Sequence, residues 1–181
     1  MSSRISIERC IERVSKRDIE ALEQIYNTLR IELMGTAFSV LGDIDRAADA
    51  VQETMIRVLE CSALFRPETN GRAWILTICR NKAIDMVRRE RRMIYIDGTE
   101  IGAMKCSVEN RVEDTISVHG ELSKLPHQDR EIVIAHSIQN YTFREIAGKL
   151  NMNPSTVRSR YYRTMARIRK RLQENMDTEN G

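Results

Sequence analysis

The sequence has little of what builds a turn-rich β fold. Glycine occurs 8 times and proline 3 times in 181 residues, a scarcity that favours long helices over short strands. Aromatic residues make up only 5% of the chain, so any core must be assembled mainly from Leu, Ile, Val, Ala and Met. The four cysteines, Cys10, Cys61, Cys79 and Cys106, have neither the close spacing of a zinc site nor that of a redox dithiol. Reduced, mostly buried thiols are the simpler reading. Apolar runs such as AWILTIC are far too short to cross a membrane. The charged N-terminus, with Arg4, Glu8, Arg9, Glu12 and Arg13, lacks the apolar core of a signal peptide. These absences point to a soluble, cytoplasmic chain with no membrane insertion.

Catalytic constellations are missing too. There is no GxxxxGK[ST] phosphate loop and no pair of carboxylates near the basic blocks. His119, His127 and His136 form no metal spacing with the cysteines. The sequence therefore predicts neither an enzyme nor a metal or cofactor site.

What is present is charge in blocks. Residues 1–60 carry net −3, 61–95 net +5, 96–125 net −3, 126–172 net +7 and 173–181 net −3. Two basic blocks separated by an acidic stretch suit two surfaces for a polyanion; solvated helix faces would look alike on charge alone. The periodicity is helical from about Asp18 to Arg92. Ile19, Leu22, Ile25, Tyr26, Leu29 and Leu33 fall on one face. A second helix is expected from Asp45 as N-cap, with Ala47, Val51, Met55, Val58 and Leu59 inward. The stretch FRPETNGR reads as a loop. A third helix follows, with Ala73, Trp74, Ile75, Ile78, Ala83, Ile84 and Val87 apolar. Residues 93–116 break the pattern and read as an acidic, flexible linker. Helical periodicity returns near Thr115. The expected fold is all-α: two small helical domains, 1–92 and 117–175, joined by the linker 93–116 and followed by a tail, 176–181.

The most specific segment is YTFREIAGKLNMNPSTVRSRYYRTMARIRKRL. Thr142 with Glu145 forms a capping box for a short helix that turns Ile146, Ala147 and Leu150 inward. Asn151 suits a left-handed turn. Asn153 is a good N-cap and Pro154 a favoured first helical residue. The second helix points Val157, Tyr161, Met165, Ile168 and Leu172 inward. This is the pattern of a DNA-binding helix-turn-helix. Its exposed recognition residues are then Ser155, Thr156, Arg158, Ser159, Tyr162 and Arg163, where an arginine offers the fork of donors that matches guanine. Arg167, Arg169, Lys170 and Arg171 fall nearer phosphates. An amphipathic hairpin with a basic solvent face is the alternative reading.

Three strings in this order, SVLGDIDRAADAVQETMIRVLE, RAWILTICRNKAIDMVRRERR and LSKLPHQDREIVIAHSIQNYTFREIAGKLNMNPSTVRSRYYRTMARIRKRL, resemble an extracytoplasmic-function (ECF) RNA polymerase sigma factor, of the sigma-70 family, over about residues 18–173. The resemblance implies a non-enzymatic subunit that binds core RNA polymerase (the β′ clamp helices and the β subunit) and directs initiation at a promoter. The helix with Asp49, Gln52, Glu53 and Ile56 resembles the part that docks on β′. Residues at these helical spacings share one mixed polar face, which without the resemblance would read as solvated.

The loop and helix around Phe65, Asn81, Lys82, Arg88, Arg89, Arg91 and Arg92 resemble the part that recognises and melts the −10 element. A ring, an amide and cations suit an unstacked base and its backbone. Phe65 could equally anchor the loop in the core, and the RRERR run could act on the helix C-terminus; Trp74 belongs to the core. The helix-turn-helix corresponds to the −35 reader. Ala48 where Glu is common, Leu76 where Tyr or Phe is common and His136 where Arg is frequent are departures that bear on promoter preference and affinity. The resemblance also implies an anti-sigma factor partner.

The two promoter elements lie about two helical turns, roughly 70 Å, apart. About 24 residues reach at most about 80 Å extended and only about 36 Å as a helix, so residues 93–116 are expected to be largely extended in the working complex. The competing reading, a stand-alone helix-turn-helix regulator, predicts tight operator binding by the isolated chain.

Overall fold

A computed structural model of the chain describes residues 6–96 and 118–179, with side chains over 6–92 and 118–174. Among the described residues there are eight α-helices and no strand: α1 Ile7–Ser15, α2 Ile19–Leu41, α3 Ile44–Cys61, α4 Gly71–Ile96, α5 Val118–Ser123, α6 His127–Ser137, α7 Phe143–Leu150 and α8 Pro154–Glu179, with a 3-10 turn at Ser62–Leu64. The all-α expectation holds. The chain divides into two compact units, Met1–Leu41 with Asp45–Glu90 and Gly42–Ile44 with Arg91–Gly181.

In the N-terminal unit the first helix is one that the sequence reading did not anticipate. Ser6 caps α1 by accepting the Arg9 N–H at 3.4 Å, and Ile7, Cys10, Ile11 and Val14 bury one stripe. The chain then turns through Arg17 in the left-handed region, and the Asp18 carboxylate caps α2 by accepting the Ala21 N–H at 3.1 Å. Ala21, Ile25, Leu29 and Leu33 form the buried stripe of α2. Ile19 and Tyr26, expected on that face, are 61% and 41% exposed; they lie at the edge of the stripe, and the small Ala21 takes the inner place. Gly42, at φ 72°, ends α2, a backbone conformation that glycine adopts without steric cost.

Helix α3 starts at Ile44, so Asp45 is not its cap but an acidic residue in its first turn, where it favours the helix dipole. Ala47, Ala50, Val51, Thr54 and Val58 are buried, while Met55 and Leu59 are only half-buried. On α4 the core residues are Ile75, Leu76, Cys79 and Ala83; Ala73 is exposed, and Trp74, Ile78, Ile84 and Val87 are half-buried. Burial pushes the Cys79 thiol up to about 11.

Helix α4 continues to Ile96, so residues 93–96, expected within the linker, are helical; the rest of that expected tether, 97–116, lies outside the described residues, as does Cys106. At the other end α8 reaches Glu179, into the segment expected to be a tail.

The C-terminal unit packs α6, α7 and α8 around Ile132, Ala135, Ile146, Ala147 and Val157, with Tyr141, Phe143, Leu150, Met152 and Tyr161 at its margin. Each fully buried branched side chain here contributes about 1.5–3 kcal/mol. Glu121 on α5 is 5% exposed and is bonded by Lys124 at 3.1 Å and Arg171 at 3.3 Å. Burial alone would raise its pKa, but those two cations outweigh it and hold the carboxyl below its ordinary range.

Candidate nucleic-acid interface

Local chemistry sets the helix-turn-helix. Thr142 Oγ1 accepts the Glu145 N–H at 3.3 Å while the Glu145 carboxylate accepts the Thr142 N–H at 2.8 Å, a reciprocal capping box that starts α7. These bonds, the backbone one foremost, hold the Glu145 carboxyl below its ordinary value. Asn151 ends α7 at φ 51°, ψ 48°, the left-handed turn expected of it. Asn153 Oδ1 then accepts the Ser155 N–H at 3.0 Å, and Pro154 opens α8.

This turn sets α8 with its first turns free of the core. Ser155, Thr156, Arg158, Ser159, Tyr162 and Arg163 are all exposed, and Val157 between them is buried. The Ser155 hydroxyl also donates to Asn153 Oδ1 at 2.8 Å and so takes part in the cap. Behind the exposed face lies an aromatic block that the sequence reading missed. The His136 ring stacks on Phe143 at 4.1 Å and meets Tyr161 edge-on at 4.7 Å, and its Nδ1 is 2.8 Å from the Tyr141 carbonyl. Tyr162, 56% exposed, rests against Tyr161 at 5.3 Å, and the Arg158 guanidinium lies 5.9 Å from its ring. No local pattern reveals this block, because His136 comes from the preceding helix.

The later cations of α8, from Arg167 on, are exposed, and several of them also meet carboxylates of the same unit. Arg160 and Arg167 flank Asp129 at 3.8 and 3.6 Å, Arg171 holds Glu121 at 3.3 Å and Lys170 pairs with Glu174 at 3.6 Å. Arg167, Lys170 and Arg171, expected near phosphates, are thus also engaged in ion pairs within the unit.

In the N-terminal unit, Asp49, Gln52 and Ile56 are exposed on α3, with Glu53 beside them. Glu53 is also held from α4, by Lys82 at 3.2 Å and Arg89 at 3.7 Å. One carboxylate expected to face the polymerase is therefore joined to two cations expected to face DNA. Asn81, Arg88, Arg91 and Arg92 are exposed along α4, with Arg88 3.7 Å from Asp85. Phe65 is 9% exposed and packs on Trp74 with ring centroids 5.2 Å apart. In this structure its ring packs inward against Trp74 and anchors the loop.

Among the described residues no group of three or more His, Cys, Asp or Glu side chains could hold a metal ion, and no helix is long and apolar enough to cross a membrane.

Residues 25–93 match the family model for Sigma-70 region 2, and residues 116–168 match that for Sigma-70, region 4. The chain is 24% identical over 182 residues to the ECF RNA polymerase sigma factor SigW of Bacillus subtilis, covering 93% of this chain and 97% of that protein. To the ECF RNA polymerase sigma factor EcfG of Rhodopseudomonas palustris it is 30% identical over 138 residues, covering 75% and 76%. Its fold is similar to that of the sigma factor RpoE of Bartonella quintana, solved in complex with the anti-sigma factor NepR, with TM-score 0.58, 23% identity and coverage of 84% of this chain and 96% of that one.

A region 2 module and a region 4 helix-turn-helix in one chain define a sigma-70-type initiation factor. This chain belongs to the ECF RNA polymerase sigma factors, which bind core polymerase and promoter DNA and direct promoter-specific transcription initiation. Such factors are non-enzymatic DNA-binding regulators. The stand-alone regulator reading is not favoured, since both modules match.

Proposed function

We propose that the exposed first turns of α8 read the −35 element, with Arg158 and Arg163 as the main base or phosphate contacts and Thr156, Ser159 and Tyr162 beside them. Ser155 acts there chiefly through the cap. The α4 surface bearing Asn81, Lys82, Arg88, Arg89, Arg91 and Arg92 recognises and opens the −10 element, with Phe65 fixing the adjoining loop from behind. Asp49, Gln52, Glu53 and Ile56 dock on the polymerase β′ clamp helices. The chain is no enzyme, works in the cytoplasm and is held in check by an anti-sigma factor that covers one or both modules.

The observation that supports this most is the exposure of all six recognition positions around the buried Val157. Between phosphates and bases, arginines and hydroxyls at the start of a recognition helix can supply both positioning and specificity. The test is run-off transcription from genomic fragments with the purified chain and core polymerase. Discrete promoter-dependent transcripts are expected; a folded chain that directs no initiation sinks the proposal.

A further inference from the structure

Helix α1 lies outside the residues matched by the region 2 family model, which begins at residue 25. It nevertheless packs against the 3-10 turn Ser62–Leu64 that enters the loop 65–70, and it also holds that loop's exit. The Glu8 carboxylate accepts the Gly71 N–H, the first of α4, at 3.0 Å, and its other oxygen accepts the Ser6 hydroxyl at 3.0 Å. Asn70 supplies the second cap at this point, accepting the Ala73 N–H at 2.9 Å. The approach is close: a Cβ on Gly71 would come within 2.9 Å of Ile11 Cδ1 and 3.2 Å of both Glu8 and Ile7, so those side chains would have to shift. A carboxylate from a helix 63 positions away in sequence therefore fixes where α4 begins, and with it the path of the loop anchored by Phe65.

We infer that Glu8 is a positioning residue for promoter opening: through Gly71 it holds the loop 65–70 and the start of α4 in the geometry that engages the −10 strand. This rests on the −10 assignment of α4 proposed above. A first-turn N–H left without its acceptor lets the loop sample other paths, and affinity falls with the fraction of competent geometry. Gln at position 8 retains a carbonyl acceptor; Ala does not.

The test uses holoenzyme assembled from core polymerase and the full chain. The probes are a single-stranded oligonucleotide carrying the non-template −10 sequence of a promoter found by run-off transcription, and a duplex carrying its −35 element. Glu8→Ala should weaken binding of the −10 oligonucleotide about tenfold, and Gly71→Ala, which crowds Ile11 and the Glu8 carboxylate at the same contact, should do likewise. Glu8→Gln should stay within about twofold of the parent chain, and none of the three should change core affinity or −35 binding. Unchanged −10 binding by Glu8→Ala, alongside a loss by Asn81→Ala, overturns the inference and leaves the −10 assignment standing. If neither variant changes −10 binding, the assignment itself fails and the inference falls with it. Equal losses for core, −10 and −35 binding show a general folding role and also overturn it.

Discussion

Replacing Glu121 by Gln tests whether an ion pair holds the C-terminal unit together in the way the distances imply. The carboxylate is buried and accepts from Lys124 and Arg171 at 3.1 and 3.3 Å. Breaking a fully buried pair costs about 3–5 kcal/mol. Here the Lys124 and Arg171 side chains are 63% and 45% exposed, so solvent screens them and the expected loss shrinks to about 1–2 kcal/mol. In a unit of this size each kcal/mol moves the melting midpoint by about 4–8 °C. The sign with pH follows from the lowered pKa of Glu121. A carboxyl held below its unfolded value lends stability that is fully present above that value, near pH 4.3 (approximately), and is lost as pH falls through the folded value. The variant, which cannot ionise, lacks this contribution at every pH. Far-ultraviolet circular dichroism melts of both chains should therefore show a gap at neutral pH that closes in acid. The single tryptophan, Trp74, lies in the N-terminal unit, and its fluorescence transition should not move. A gap that persists undiminished in acid refutes the ion-pair reasoning.

Arg158→Ala should lower run-off from the best promoters by an amount equivalent to about 1–3 kcal/mol and flatten discrimination among −35 variants; undiminished discrimination would mean that another residue reads the element. Asn151 occupies the left-handed region, so Asn151→Val should destabilise the helix-turn-helix by about 1–2 kcal/mol in denaturant titration while Asn151→Gly costs nothing measurable. Equal losses would show that the side chain, not the backbone angle, matters. Cys79, with its thiol pushed up to about 11 by burial, should resist alkylation in the native chain at neutral pH and react only on unfolding. Rapid native labelling mapped to Cys79 by mass spectrometry would contradict its burial.

The parts of the fold that were legible from sequence are those whose cause is local. Thr142, Glu145, Asn151, Asn153 and Pro154 each act within a few residues, so spacing alone identified the capping box, the turn and the next helix. Helix α1 carries an equally local signal, Ile7, Cys10, Ile11 and Val14 at helical spacing after Ser6, set among charges that also mark the segment as no signal peptide. Ile19 and Tyr26 show the limit of periodicity: they sit within reach of the apolar stripe, and only packing decides that Ala21 belongs inside instead. The Glu8–Gly71, Glu53–Lys82 and Asp129–Arg167 contacts join residues from separate elements, and no one-dimensional pattern encodes them. The same holds for Phe65, whose aromatic character suits both a base and a core, and whose contact with Trp74 only the fold shows.

Asp129 has one more consequence. By taking Arg160 and Arg167 inward it ties α6 to the middle of α8, and those guanidinium groups already have an anion at hand before any duplex arrives. Release of condensed counterions, at a slope of about −0.9 per neutralised phosphate, comes only from cations that exchange water and salt ions for DNA. The response of −35 binding to ionic strength should consequently be shallower than the ten cations of residues 126–172 suggest, because some of them are mortar between helices.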